Sequence, residues 1–490
     1  MKLLSELLNP TEFKLKNCDE HCRVLHLTHD SRSVKVGSLF FAIKGVTTDG
    51  SRFIKEAIAR GAVAVVVQKE QPEEFPQIIV PNIRQAMSLI AKAFFDNACD
   101  RFSIIGITGT NGKTTTSHII QHLVTQSHGS CGIIGTLGAV ATFKDGSSTR
   151  YHFSSLTTPD PVQLHEIFYE LEKSGVSTVV MECSAHAICL DKLAGIKFKV
   201  GIFTNLSQDH LDFFPNYRAY ADTKVNWFDK EIETAIINID DVEGVKIFHN
   251  RQVNNLQSIV YAMDEVVCSK RPDEVKLGAL GSKFLYLGQE FELPLAGRFN
   301  IYNALAAIEA VKLLDASIKD IALDLKNLPP IPGRFNTIDV SGRTVIIDYA
   351  HTPDSLKQIL VSSRELLQGD ATLTTVFGCG GDRDKTKRDK MGVISGKLSD
   401  FTVITSDNPR TESPRSVMLQ IEAGCKLYTK NYVLIQDREE AIHYALEKSR
   451  VGDIIVIAGK GAEDYLEIGH EKIPYSDAKI VNEFRASLQK

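Results

Sequence analysis

Short runs of β-branched and aliphatic residues alternate along the chain with stretches whose apolar positions recur every three or four residues. The first pattern is that of buried strands and the second that of helices with one face in a core, so the alternation predicts an α/β protein. A strand is expected at 38–43, a helical stretch at 53–60 and a second strand at 62–67. At 102–107 a strand runs straight into a glycine-rich loop and a helix, and further strands are expected at 178–181, 200–203 and 235–239. The pattern turns hairpin-like over 281–295, and 300–314 reads as a helix.

Pro329-Pro330-Ile331-Pro332-Gly333 is the clearest linker, because prolines so closely spaced cannot continue a helix or a central strand. Beyond it, candidate strands at 344–348, 373–377, 401–405, 432–435 and 453–457 are separated by helical segments, which predicts a mostly parallel Rossmann-like sheet. At 490 residues the chain has room for about three domains. They are expected at 1–97, 98–332 and 333–490, the central one of P-loop ATPase type.

Composition narrows the classes. Lys+Arg 56 against Asp+Glu 61 leaves a net charge of −5, which gives no global attraction to nucleic acid or to an anionic membrane. No apolar run approaches the roughly 20 residues of a membrane helix, and the first residues, with Glu6 early among them, do not read as a signal peptide. The nine cysteines are scattered, and the close pair Cys18 and Cys22 has no second pair at zinc spacing. Reduced thiols in the cytoplasm are expected, in a protein that binds neither nucleic acid nor membrane and is a monomer.

The strongest chemical signal is Gly109-Thr110-Asn111-Gly112-Lys113-Thr114-Thr115 between a strand and a helix. Glycines let backbone N–H groups curl around phosphate oxygens, and the helix N-terminus adds a positive dipole. Lys113 can neutralise β- and γ-phosphates, and the Thr114 hydroxyl can ligate magnesium. The general pattern would put its first glycine at 107, where Ile107 stands. ATP or a close relative is the ligand this loop implies. Its Gly-Thr-Asn-Gly-Lys-Thr-Thr form resembles the Mur ligase family, three-domain enzymes that join amino acids to carboxylates at the expense of ATP bound between the central and C-terminal domains.

Glu182 follows Val179-Val180-Met181, and Asp209-His210-Leu211-Asp212 follows another strand by a few residues. Ligands gather at the carboxyl ends of strands in open α/β sheets, and Mg²⁺ takes one or two protein ligands besides phosphates and water. Spacing alone leaves Asp209 and His210 equal candidates. The resemblance implies Glu182 and His210 as metal ligands, and it implies that Lys224, otherwise an ordinary lysine in a helix near 217–224, is carbamylated to supply an anionic oxygen. It also implies ATP contacts from Asn303, Arg334 and Asp348, although an Asn at a helix start is more often a cap.

In the third domain, polar loops follow three strands: Gly378 to Asp384 with Arg383, Asp407-Asn408-Pro409-Arg410, and Gly459-Lys460-Gly461-Ala462-Glu463-Asp464. Strand ends of one parallel sheet can converge. Two arginines suit carboxylates and a glutamate suits an ammonium, so the loops match an amino acid with a second carboxylate. Asp-Asn-Pro-Arg narrows the resemblance to the UDP-N-acetylmuramoyl-tripeptide synthetase branch that adds meso-2,6-diaminopimelate to UDP-N-acetylmuramoyl-L-alanyl-D-glutamate in peptidoglycan precursor synthesis. That match implies diaminopimelate contacts from Arg383, Asp407, Asn408, Pro409, Arg410, Gly459 and Glu463. It implies uridine-nucleotide contacts from Ser31, Val46, Thr47 and Thr48, and muramoyl-dipeptide contacts from Thr157, Thr158 and Ser184.

Two departures stand out. Where the family commonly carries Gln and Arg, this chain has Leu190 and Lys192, and the usual Lys-Gly-His-Glu is Lys460-Gly461-Ala462-Glu463. Lys192 keeps a charge but not the bidentate fork. The competing readings are an L-lysine-adding ligase, a folylpolyglutamate-synthase-like ligase, and a nucleotide-dependent binding protein without catalysis. Closure of the third domain on substrate binding is expected of the ligase.

Overall fold

The computed structural model describes residues 1–9, 11–45, 48–151, 156–229, 231–265, 268–278, 281–469 and 471–488. It is α/β throughout, with three larger sheets in succession. The first has the order Lys14–Lys16, Gln77–Ile79, Ala62–Val67, Ser38–Phe41, His26–Thr28, parallel except for its first pair.

The second sheet has eight strands. Ser103–Thr108 lies at its centre, between Thr178–Glu182 and Phe198–Phe203, and all three are parallel. Ile232–Asn238 and Gln257–Tyr261 extend one side in parallel. Ser130–Gly135, Gly138–Phe143 and Ser148–Tyr151 extend the other, the last two antiparallel. The central strand is apolar on both faces because both are covered. Ile104 packs with Phe168, Phe203 and Trp227 on one side, and Ile105 and Ile107 pack with Ile119, Leu123 and Ile308 on the other. The expected hairpin is Gly281–Tyr286 with Gln289–Leu293, and Asp273–Gly278 makes it a three-stranded sheet.

The third sheet runs Asn336–Val340, Arg343–Asp348, Ile454–Ala458, Leu373–Phe377, Phe401–Ile404, Tyr432–Leu434. Five strands are parallel, as the periodicity predicts. A sixth, Asn336–Val340, pairs antiparallel at the edge, and a small hairpin, Tyr465–Ile468 with Glu471–Pro474, follows the last parallel strand. Both are largely solvent-facing rather than buried on two faces, which is why a continuous apolar run does not mark them. Parallel alignment brings the carboxyl ends of neighbouring strands to one edge in each sheet, and the polar loops of the sequence lie there.

Candidate active site

The phosphate loop turns directly out of Ser103–Thr108 into the helix Lys113–His128. Gly109 and Gly112 have φ of 151° and 87°. A Cβ on Gly109 would land on Thr204 Oγ1, and one on Gly112 would land on Asn303 Oδ1, so neither position has room for a side chain. Ile107, where the general pattern has glycine, is still within the strand and fully buried, and Gly109 makes the turn instead. The neighbouring strand end holds the loop: Thr110 N–H donates to Asn205 O at 2.8 Å, Asn111 N–H to Asn205 Oδ1 at 3.0 Å, and Thr204 Oγ1 to Asn111 O at 2.7 Å.

Lys113 Nζ folds over the loop, 2.9 Å from Gly109 O and 2.8 Å from Thr110 O. Burial lowers its pKa, with Glu182 opposing. Glu182 ends its strand and is 1% exposed. It accepts from Thr136 N–H at 3.1 Å, Thr136 Oγ1 at 3.0 Å and Thr114 Oγ1 at 3.1 Å. Arg334 Nη2 donates to Thr114 Oγ1 at 2.9 Å, and its guanidinium stacks 4.8 Å from the Tyr349 ring. Thr136 is absent from the sequence-based set, although it too follows a parallel strand at the same sheet edge.

These groups line a cleft of about 530 Å³ between the second and third sheets, with Thr115, Asn303, Asp348 and Asp354. Asn303 lies within the helix Arg298–Lys312, whose N-cap is Gly297, so it is no cap. Its side chain donates to Asn300 Oδ1 at 3.0 Å and accepts from Thr116. Asp348 accepts from Phe335 N–H at 2.7 Å and Ala350 N–H at 2.8 Å. Burial raises its pKa against the pull of Arg334 and those two donors.

Asp209 and His210 line the same cleft, with His210 Nε2 3.4 Å from Asp209 Oδ2. Burial holds His210 neutral. Burial works against the charge on Asp209, but Lys387 and the hydrogen bond from His210 N–H hold its carboxyl below the usual range. Among the described residues no cluster of three or more His, Cys, Asp or Glu side chains is arranged for a metal ion. The donor set is instead sparse, Glu182 and the Thr114 hydroxyl with His210 nearby, as suits an ion that keeps waters and phosphate oxygens. Lys224 sits in the helix Tyr217–Val225 and is 2% exposed, its Nζ 4.6 Å from the Tyr220 ring. Burial, with Lys113 nearby, lowers its pKa well below the ordinary value. Tyr220 in turn hydrogen-bonds Thr110 Oγ1 at 3.0 Å, tying this helix to the phosphate loop.

The loops of the third sheet converge. Asn408 Nδ2 donates to Glu463 Oε2 at 2.9 Å, and Lys460 Nζ donates to both Asn408 Oδ1 and Glu463 Oε2 at 2.9 Å. Arg410 Nη1 donates to Gly381 O at 2.8 Å, and Gly381 N–H donates to Asn408 O at 2.9 Å. Pro409 O accepts from Glu412 N–H at 3.1 Å. Asp407 is buried, and although burial opposes its charge, Lys460 and Arg438 keep its pKa below the ordinary value. Gly459 has φ of 117°, and a Cβ there would meet that carboxylate. Arg383 does not join the network; it is mostly exposed, with Nη1 4.0 Å from Asp212 Oδ2 of the central part. Tyr349 stands between cleft and network, its hydroxyl 3.5 Å from Glu463 Oε1.

At the far end, Ser31 Oγ donates to Glu56 Oε2 at 3.3 Å, and Thr48 O accepts from Gly45 N–H at 2.8 Å. Val46 and Thr47 lie outside the described residues. Thr157 Oγ1 is 3.2 Å from Thr136 Oγ1, and Thr158 Oγ1 is 3.1 Å from Ser184 Oγ and 2.8 Å from Glu182 O. Lys192 is buried and paired with Asp160 Oδ1 at 2.7 Å. Thr157 therefore connects through Thr136 to Glu182, while Ser31 and Thr48 belong to the first sheet's surroundings.

Three family models match the chain: the Mur ligase family catalytic domain over residues 23–95, the Mur ligase middle domain over 107–311, and the Mur ligase glutamate ligase domain over 333–461. A UDP-N-acetylmuramoyl-L-alanyl-D-glutamate–2,6-diaminopimelate ligase of Clostridium acetobutylicum is 38% identical, with 99% of each chain covered. The chain belongs to the Mur ligase family. A ligase of the same description from Geobacillus thermodenitrificans is 38% identical over 93% of this Mur ligase and 94% of its own length. A solved structure of such a ligase superposes with a TM-score of 0.70 at 29% identity, covering 100% of this chain and 99% of that one. A MurF ligase from Thermotoga maritima in complex with ADP shares the fold, with a TM-score of 0.62 at 18% identity and coverage of 96% and 98%. Family membership implies nucleotide use by this Mur ligase.

Proposed function

We propose that this Mur ligase joins meso-2,6-diaminopimelate to UDP-N-acetylmuramoyl-L-alanyl-D-glutamate at the expense of ATP, a step of peptidoglycan precursor synthesis. The observation that carries the reading is the convergence of Asn408, Arg410 and Glu463 beside the phosphate cleft. It offers a guanidinium for a carboxylate and a carboxylate for an ammonium, the two charges at each end of diaminopimelate.

Chemistry follows from the layout. A carboxylate oxygen of the acceptor attacks the γ-phosphorus of ATP, the bond to the bridging oxygen breaks, and ADP leaves an acyl phosphate. The diaminopimelate amine then attacks the acyl carbon, and the tetrahedral intermediate collapses to the amide with loss of phosphate and a proton. Phosphoryl transfer of this kind needs positioning and neutralised charge more than covalent help. Lys113, Arg334 and the N-terminus of Lys113–His128 supply both, and Asn303 and Asp348 hold the nucleoside side. Magnesium held by Thr114, Glu182, His210 and Lys224 would neutralise the phosphates further. Lys224 serves that site as a carbamate, formed when its free amine attacks CO₂ and releases a proton; burial, which disfavours the charged ammonium, supports this.

The uridine end is assigned to Ser31, Val46, Thr47 and Thr48 in a unit of residues 1–97. Thr157, Thr158, Ser184 and Lys192 take the muramoyl dipeptide in a unit of residues 98–332. Diaminopimelate is bound by Arg383, Asp407, Asn408, Pro409, Arg410, Gly459 and Glu463 in residues 333–490, as a monomer in the cytoplasm. No helix among the described residues is long and apolar enough to cross a membrane.

The test is phosphate release from ATP by purified protein with magnesium and UDP-N-acetylmuramoyl-L-alanyl-D-glutamate, comparing meso-diaminopimelate, L-lysine and no amino acid. Release and a tripeptide product with diaminopimelate alone support the reading. Equal turnover with lysine replaces the specificity claim, and silence from folded, ATP-binding protein overturns the ligase.

A further inference from the structure

The network that gathers Asn408, Arg410 and Glu463 has one member that no motif reading picks out. Glu467 lies in the strand Tyr465–Ile468, a few residues beyond the last loop. Its carboxylate Oε2 is 2.9 Å from Arg410 Nε, in a pocket where the two side chains are 25% and 19% exposed. The backbone of the same residue is engaged too. Its N–H donates to Asn408 Oδ1 at 2.9 Å, and its carbonyl accepts from Arg410 N–H at 3.0 Å. Gly469 N–H donates to Arg410 O at 2.8 Å, so the segment runs alongside the Asn408–Arg410 loop like a short strand pair.

We infer that Glu467 is a positioning and specificity-determining residue, which aims the Arg410 guanidinium at the distal carboxylate of the incoming amino acid. The inference rests on the ligase reading above.

Arginine carries a long side chain with several rotamers, and holding it in one geometry costs side-chain entropy. Arg410 also sits at φ 49°, a left-handed backbone that a non-glycine residue adopts only when its surroundings hold it. Glu467 contributes to both restraints, through its carbonyl at the backbone and its carboxylate at Nε. Among the described residues, Arg410 Nη1 donates to Gly381 O and the Glu467 carboxylate lies beside Nε, so both partners hold the guanidinium in place. Gly380 leaves the guanidinium room, because a Cβ there would come within 3.1 Å of Arg410 Nη1. A fixed guanidinium loses less entropy on binding and pays it before the ligand arrives, which is how orientation becomes affinity.

The Glu467 charge has a second consequence. The two charges offset each other, so the pair neither draws a free cation away from Glu463 nor attracts an anion at long range, and a ligand carboxylate must meet Arg410 by geometry. A ligand with only an ammonium at its distal end gains nothing from Arg410. A zwitterionic end gains both Arg410 and Glu463, and discrimination is a difference between those two sums.

The experiment uses the full-length protein with ATP, magnesium and UDP-N-acetylmuramoyl-L-alanyl-D-glutamate, varying meso-diaminopimelate and L-lysine in turn. For Glu467→Ala, KM for diaminopimelate is expected to rise at least tenfold, with kcat within threefold and KM for ATP and the uridine nucleotide unchanged. The preference for diaminopimelate over lysine, taken as a ratio of kcat/KM, should fall by a similar factor. Glu467→Gln keeps an acceptor for Arg410 Nε and should recover most of the lost KM, and it serves as the test if the alanine variant is poorly folded. Wild-type KM for diaminopimelate in both variants overturns the inference, and so does a rise in KM for all three substrates together, the mark of a merely structural role. A wild-type protein inactive with every amino acid overturns the ligase reading itself, and the inference with it.

Discussion

Arg334 places Nη2 2.9 Å from the Thr114 hydroxyl, joining the start of the third sheet to the helix behind the phosphate loop. Thr114 gives its single proton to Glu182, so it can only accept from Arg334. That hydroxyl bridges two charged partners, one from each side of the cleft, and its second lone pair is the one a magnesium ion would use. The first prediction follows. Arg334→Ala should lower kcat/KM for ATP at least tenfold, about 1.4 kcal/mol of lost stabilisation. Arg334→Lys should not restore it, because an ammonium cannot both stack on Tyr349 and reach Thr114 in a fixed plane. Initial rates at varied ATP measure this, and an ATP dependence equal to wild type in both variants excludes the role.

Lys113 lines the cleft and holds its own loop carbonyls at 2.9 and 2.8 Å. Lys113→Met removes the cation that neutralises the transferred phosphate but keeps most of the side-chain volume. Phosphate release should drop about 10³-fold or more. Folding should not suffer, since a half-buried cation carries a desolvation cost that methionine lacks. Thermal melting beside the rate assay separates the two, and a melting point well below wild type would contradict this account.

Burial and the nearby Lys113 disfavour protonation of the Lys224 amine, which shifts it toward the free base that reacts with CO₂. Intact-protein mass spectrometry under gentle, CO₂-equilibrated conditions should show the added mass of one CO₂, lost on acidification. Lys224→Arg keeps a cation that cannot be carbamylated and should lose at least 100-fold in activity. An arginine variant as active as wild type would remove the carbamate from the mechanism.

Lys460 is fully buried between Asn408 and Glu463. Lys460→Met leaves Asn408 Oδ1 short of a donor and Glu463 without its counter-charge. The expected cost is about 3 kcal/mol of stability, with weaker diaminopimelate binding. Denaturant unfolding and calorimetric titration of diaminopimelate check the two effects, and an unchanged unfolding midpoint refutes the first.

His165 lies in the helix Pro161–Lys173, fully packed against Phe168, and burial lowers its pKa to about 3. His118 and His351 are lowered to about 4 for the same reason. An unfolded chain takes up these protons near pH 6.5, but the folded one does not. Stability is therefore full above about pH 6.5 and declines as pH falls toward 4, by up to roughly 1.4 kcal/mol per pH unit for each group. His165→Leu should flatten part of that decline between pH 6.5 and 4. Unfolding curves across this range are the measurement, and parallel curves for the two proteins would show that His165 does not contribute.

Much of this protein was written in local order. The apolar run Ala62–Val67 and the β-branched run Leu373–Phe377 coincide with the predicted strands to the residue, because strands buried on both faces favour apolar and β-branched residues throughout. The phosphate loop, the carboxylate at Glu182 and the polar loops after the third-sheet strands were equally legible, since parallel strands direct their carboxyl ends to one edge. What the chain order could not contain was partnership across long separations. Arg334 meets Thr114, Asn111 meets Asp354 at 2.9 Å, and Glu182 meets Thr136, each because two elements happen to end side by side. Lys224 looks like any helical lysine until packing removes its water. Arg383 and Arg410 look equivalent in sequence, yet Glu467 from a short polar hairpin holds one, and the other stays mostly exposed. Sequence determined which backbone segments form and where their polar ends fall. Tertiary structure alone decided which side chains lose solvent and which charges become neighbours, because burial and distance are properties of the packed chain.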